Sequence, residues 1–170
     1  MAVDPVELRH AMANLAGSVN VVCCRAYDQD HAMTATAVAS VSLDPPLVLF
    51  CVAHTSRFWE AVSATDQWTI SILADTGRPD AEWLATKGRP LERQLDRVEH
   101  QRTEQGIAVL SESLTWLECR TFSQTTAGDH DIVVGEVDRA VVNAGEQPLV
   151  YWRARYTSLS EPGSVSAGNQ

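Results

Sequence analysis

The sequence predicts a mainly β domain with a few peripheral helices, a closed barrel or a sandwich, on three observations. Seven segments rich in β-branched residues and bounded by turn formers lie at residues 18–25, 32–43, 47–53, 68–74, 114–122, 131–142 and 149–153. The helical stretches between them are short and do not alternate regularly with strands, which argues against a βαβ array. The chain of 170 residues, 45% of them AVILMFWYC and 21% charged, is long enough to bury one core without staples.

The elements follow in order. Asp4, Pro5 and Glu7 stand at the N-cap, N1 and N3 positions of a helix whose Leu8, Met12 and Leu15 share a face, with Gly17 placed to stop it. The strand at 18–25 comes next. Residues 33–46, MTATAVASVSLDPP, alternate Thr34, Thr36, Ser40 and Ser42 with small apolar residues, so a strand there carries a hydroxylated face interrupted at Val38. Asp44-Pro45-Pro46 ends it, because consecutive prolines remove ladder donors. A helix at 57–64 is capped by Ser56 and one at 79–87 is offered Asp80 as a cap. Residues 88–106 are charged and weakly patterned, and no internal repeat is present. The expected domain is residues 1–158. Residues 159–170 hold almost nothing to bury and read as a disordered tail.

Composition excludes several functions. Thirteen basic against 22 acidic residues give a net charge of -9, which repels phosphate backbones and anionic lipid, so neither nucleic acid nor a membrane is an expected partner. No apolar run approaches the roughly 18 residues of a membrane span, and the N-terminus has no hydrophobic signal core. Four cysteines at 23, 24, 51 and 119 match neither a disulfide framework nor a zinc site, which points to reduced, buried thiols and a cytoplasmic home. His10, His31, His54 and His100 lack ligand spacing, so no metal is expected. The chain has no GxGxxG, no GxxxxGK and no GxSxG, which removes Rossmann, NTPase and hydrolase readings.

Three places carry chemistry. The hydroxylated, small-residue stretch at 34–42 is either a floor for a planar cofactor or a solvated edge strand. Ser56-Arg57 at a helix N-terminus either favours an anion such as phosphate or is a plain cap with a surface arginine. Lys87, the single lysine, and Arg89 flank Gly88 and either reach the same anion or are solvated charges. Asp129-His130 opens a strand, where the carboxylate either orients the imidazole at a ligand site or closes an ordinary turn.

Taken together, AMTATAVASVSLDPPLVLFCVAHTSR, AGDHDIVVGEV some 70 residues later and LVYWRARY resemble the short flavin reductases of the FMN-binding split-barrel superfamily, over about residues 5–157. These are NAD(P)H:flavin oxidoreductases that serve two-component monooxygenases. The resemblance implies a six-stranded split β-barrel with Greek-key connections, a homodimer, and FMN or FAD reduced by NADH or NADPH. It implies that Thr34, Ala35, Thr36, Ala37, Ser40, Val41, Ser42 and Cys51 contact the flavin, and that Ser56, Arg57 and Lys87 lie on its phosphate side. His130 matches a histidine on the nicotinamide face, the expected catalytic residue, and Tyr156 lies in the terminal aromatic segment near it. A separate oxygenase would receive the reduced flavin. Many relatives carry Asn and Arg where this chain has Ala53 and His54, a departure that touches flavin affinity and the FMN/FAD choice. The alternatives are a non-catalytic flavin- or haem-binding split barrel, and an oxidase with tightly bound flavin.

Overall fold

The computed structural model describes residues 2–143 and 147–159. It opens with α1 (Pro5–Met12), where Asp4 Oδ1 accepts from the Val6 amide at 2.8 Å and Pro5 takes the first turn, as expected. Two expectations for this helix fail. It ends at Met12 with Ala13 as its cap, because Ala13, Asn14 and Leu15 close the last turn onto the Arg9, Ala11 and Met12 carbonyls. Gly17 therefore does not stop the helix and lies in β1 (Gly17–Ser18). The apolar stripe does not face the core either, since Leu8, Met12 and Leu15 are all at least half exposed.

β2 (Asn20–Ala26) and β3 (Gln29–Ala35) form a hairpin whose two-residue turn, Tyr27-Asp28, has φ of 54° and 57°, the left-handed pair that matches strand twist. The expected single strand at 32–43 is two strands, because Thr36 and Ala37 break it before β4 (Val38–Leu43). β4 pairs with β5 (Pro46–Ala53), with a register shift between Ser40 and Ser42. A bulge of that kind re-aims the following side chain, so the Thr34–Ser42 hydroxyls do not share one continuous face.

α2 (Arg57–Ser63) leads to β6 (Gln67–Leu73), and a short 3₁₀ turn leads to α3 (Arg78–Ala85). Asp80 does not cap α3; the helix follows Gly77 with no side-chain cap, because the 3₁₀ turn at Asp75–Gly77 runs directly into it. β7 (His100–Arg102), inside the segment read as weakly patterned, makes a small hairpin with β8 (Ala108–Leu110), which follows that segment. β9 (Ser113–Ala127) and β10 (His130–Val142) form the longest hairpin, and β11 (Leu149–Trp152) and β12 (Arg155–Ser158) the last. The tail at 160–170 lies outside the described residues.

Seven strands form one antiparallel sheet in the order β3-β2-β6-β9-β10-β5-β4. Its two edge strands are consecutive in the chain and only Thr36-Ala37 separates them, so at about 3.8 Å per residue the edges lie close together. The sheet must roll into a barrel split between β3 and β4. Chain order jumps across the sheet between β5 and β6, the long return of a Greek key. β2 is buried on both faces: Val22 and Cys24 join the Phe50, Val52 and Trp68 cluster, and Val21 and Cys23 join the Leu73, Leu84 and Leu149 cluster. The barrel thus packs its inside and, through α3 and the segment after it, one outer face.

Candidate active site

A cleft of about 690 Å³ opens where β3, the start of α2, the end of α3 and residues 86–94 meet. That size suits a small organic ligand. Thr34 Oγ1 donates to the Ala81 carbonyl at 2.9 Å, which pins α3 across β3. Ser56 Oγ accepts from the Phe58 amide at 3.2 Å and so fixes the first turn of α2, with Arg57 at its first position. After α3, Gly88 at φ +76° turns the chain back, and Lys87 and Arg89 flank it on the cleft wall. Arg57, Lys87 and Arg89 line the cleft, and among the described residues no aspartate or glutamate does. In a chain of net charge -9, that concentrates positive potential at one place.

Arg89 is the most constrained of the three. Its Nη2 donates to the Ala32 carbonyl and, at 3.1 Å, to Gln94 Oε1, and its Nη1 donates to the Thr86 carbonyl at 3.3 Å. Arg57 Nη2 donates to the Arg89 carbonyl at 2.9 Å. Burial first, and then the Arg57 charge, pull the Arg89 pKa below the usual arginine value. Arg89 Nε is buried and has no hydrogen-bond partner among the described residues.

Of the residues expected at a site, Thr34, Ser56, Arg57, Lys87 and Arg89 line this cleft together. The others stand outside its lining. Ala35 is buried, and its carbonyl accepts from Asn20 Nδ2. Thr36 and Ala37 form the link between the barrel edges, where the Ala37 carbonyl accepts from the Cys51 amide at 3.1 Å. Ser40, Val41 and Ser42 lie along β4, and Ser42 Oγ accepts from the Asp44 amide. Cys51 is half-buried on β5 opposite Ile132. Tyr156 belongs to the separate β1-β11-β12 sheet, where it meets Tyr151 edge-on and lies under the Arg78 guanidinium. His130 faces Ala53 across the β5–β10 pairing, and the His54 amide donates to the Asp129 carbonyl at 3.0 Å. His130 therefore stands beside the turn that delivers Ser56 and Arg57.

Residues 12–160 match the family described as flavin reductase like domain. The chain belongs to the flavin reductase-like family. A probable flavin reductase of Rhizobium meliloti is 34% identical over 154 residues, and the match spans 90% of this chain but 48%, about half, of that protein. An NADH:riboflavin 5'-phosphate oxidoreductase of Streptomyces pristinaespiralis is 37% identical over 154 residues, covering 89% of this chain and 86% of that one. BorF, the flavin reductase component of a bacterial two-component tryptophan halogenase, superposes with a TM-score of 0.86 at 33% identity, over 92% of this chain and 98% of its own. The fold of this flavin reductase-like chain is the split barrel, and its activity class is flavin oxidoreduction.

The residues present fit a flavin nucleotide. A phosphate ester would offset the mutual repulsion of Arg57 and Arg89 and would meet three cations in the cleft lining. The cleft has room for more than the phosphate alone.

A second feature of this flavin reductase-like chain escaped the sequence reading. Asp131, 4% exposed, accepts four side-chain hydrogen bonds: from His54 Nε2 at 2.7 Å and Thr126 Oγ1 at 2.8 Å on Oδ1, and from Gln124 Nε2 at 2.6 Å and Trp59 Nε1 at 2.7 Å on Oδ2. Those donors, Gln124 foremost, hold its carboxyl well below the usual carboxylate range. An ionised carboxylate only accepts, so His54 Nε2 carries the hydrogen. The network ties the turn before α2, α2 itself and the β9–β10 hairpin into one rigid corner. Both aspartates flanking His130 were visible in the sequence, but only Asp129 was paired with it. Asp129 Oδ1 does lie 2.7 Å from His130 Nδ1, at the exposed tip of the hairpin.

Proposed function

We propose that this chain transfers a hydride from NADH to FMN or FAD and releases the reduced flavin to a separate flavin-dependent oxygenase. The carrying observation is the cation-lined cleft, free of carboxylates and walled by an arginine with an unpartnered donor, on a chain of this family. Two relatives support the finer reading: one is named for NADH and riboflavin 5'-phosphate, and the other is the reductase component of a two-component system.

Flavin, when bound, supplies the hydride acceptor and the electronic chemistry. The protein's own work is to hold and orient. Arg57, Lys87 and Arg89 hold the phosphate end. The ring side is assigned to the backbone of residues 34–42 and to Cys51, where amide donors would favour negative charge on the reduced ring. His130 positions the nicotinamide, and Tyr156 closes the terminal segment near it. No general base is required. The same assignment takes residues 1–158 as the reductase domain.

A homodimer fits the exposed apolar residues Val6, Leu8 and Met12 of α1 and Leu15 just after it. Arg153 fastens that end of the chain, since its amide donates to the Ala13 carbonyl and its Nε to Asn14 Oδ1. A reducing cytoplasm fits the unpaired cysteines, with burial pushing the Cys24 and Cys119 thiols up to about 12. Within the described residues no helix is long and apolar enough to cross a membrane.

The test is a flavin titration of NADH oxidation with FMN, FAD and riboflavin, repeated with NADPH, together with gel filtration of the flavin-loaded protein. Turnover that saturates in free flavin, with flavin lost on the column, supports a reductase. Stoichiometric flavin retained through gel filtration with no turnover overturns it.

A further inference from the structure

Gln94 is 2% exposed, and every polar group of its side chain is used. Its Oε1 accepts from Arg89 Nη2 at 3.1 Å and its Nε2 donates to the Asp30 carbonyl. Its own carbonyl accepts from Trp83 Nε1 at 2.9 Å, which fixes the backbone against α3. The amide cannot flip, because the reverse orientation would set an NH₂ against the arginine donor and an oxygen against a carbonyl. Asp30 is itself immobilised, since Arg102 reaches both of its carboxylate oxygens at 2.9 and 2.7 Å. A chain of fixed groups therefore ends on the Arg89 guanidinium and holds one edge of it. Three of its five N–H donors are thereby used, and Arg89 as a residue lines the cleft wall.

We infer that Gln94 is the positioning residue of this cleft: it sets the plane of the Arg89 guanidinium at the cleft wall for a phosphate ester, and thereby makes the site select phosphorylated flavin over riboflavin. This rests on the reading of the cleft as the flavin site. A guanidinium recognises an anion by a planar fork, so its orientation matters as much as its charge. Arg57, held by its single bond to the Arg89 carbonyl, and Lys87 are both exposed and add charge with less direction.

The experiment measures equilibrium binding of FMN and riboflavin by fluorescence quenching, and steady-state KM and kcat, for wild type, Gln94→Met, Arg89→Gln and the double variant. Gln94→Met is expected to weaken FMN about tenfold, the scale of one charge-assisted hydrogen bond, and riboflavin less than about twofold, with kcat at saturating FMN unchanged. In the Arg89→Gln background the same change is expected to add nothing. Equal weakening of FMN and riboflavin, or a full effect of Gln94→Met without Arg89, overturns the inference. An effect on NADH or NADPH affinity in place of FMN keeps the Gln94–Arg89 pair as a phosphate reader but overturns the reading of the cleft as the flavin site. Wild type that binds FMN no more tightly than riboflavin overturns both. Should Gln94→Met fail to fold, Gln94→Asn makes the same test, because it keeps the amide and withdraws it from Arg89.

Discussion

His54 donates its Nε2 hydrogen to Asp131 Oδ1 at 2.7 Å, and so joins the turn before α2 to the start of β10. Asp131→Asn puts an NH₂ against two of the four donors whichever way the amide turns, leaving buried donors unpaired. We expect a lower urea midpoint and weaker FMN binding, since the turn that delivers Ser56 and Arg57 loosens. The pH dependence has a definite sign. The folded pKa of Asp131 is depressed, so its contribution is complete above the unfolded carboxylate value of about 3.9 and is lost as pH falls through the folded one. The stability gap between wild type and variant should therefore be constant near neutrality and close only below about pH 4. A gap that closes at higher pH contradicts this role.

Gly135 approaches the Trp68 ring so closely that a Cβ there would sit 2.2 Å from Cζ2. Trp68 has no room to yield, because it is fully buried, meets Phe50 edge-on at 4.9 Å and donates Nε1 to Thr121 Oγ1 at 2.9 Å. Gly135→Ala is expected to cost about 1–3 kcal/mol or more of stability, read by equilibrium unfolding. An unchanged midpoint would mean that β10 shifts freely at its bulge next to Gly135.

Much of this was legible in the sequence. β-branched runs and turn formers placed the strands of the main sheet, and Asp4-Pro5 and Ser56 marked two helix starts, because those signals are local. The break at Thr36-Ala37 was not legible: alternation continues through both residues, and what interrupts the strand is closure of the barrel, a long-range event. The outward stripe of α1 looks in sequence like any core-facing helix. Thr34, Ser56, Arg57 and Lys87 were found because each belongs to a recognisable local pattern. Gln94 and Asp131 were not, since a buried amide or carboxylate is defined by partners on other elements: Asp30, Trp83 and Arg89 for the first, His54, Trp59 and Gln124 for the second.

Arg57 and Lys87 are exposed cations beside the cleft, so their effect should be electrostatic and screened. Arg57→Ala and Lys87→Ala are each expected to raise the KM for FMN by about three- to tenfold at low ionic strength. The difference from wild type should shrink toward about 1 M salt, where the Debye length is about 3 Å. A salt-independent loss would point to a structural defect, most directly the Arg57 bond to the Arg89 carbonyl.

His130 sits half-exposed at the head of β10 with Asp129 at 2.7 Å, a pairing that orients its ring. His130→Ala should lower kcat/KM for NADH by about tenfold while FMN binding stays intact. Complete loss of flavin reduction with FMN still bound would contradict a positioning role.

The most direct test of the whole account is the rate of NADH oxidation in air as free FMN is raised from catalytic to saturating concentration. Turnover should rise hyperbolically with free FMN, showing that flavin enters and leaves as a substrate. FMN binding without NADH oxidation at any flavin concentration would contradict it.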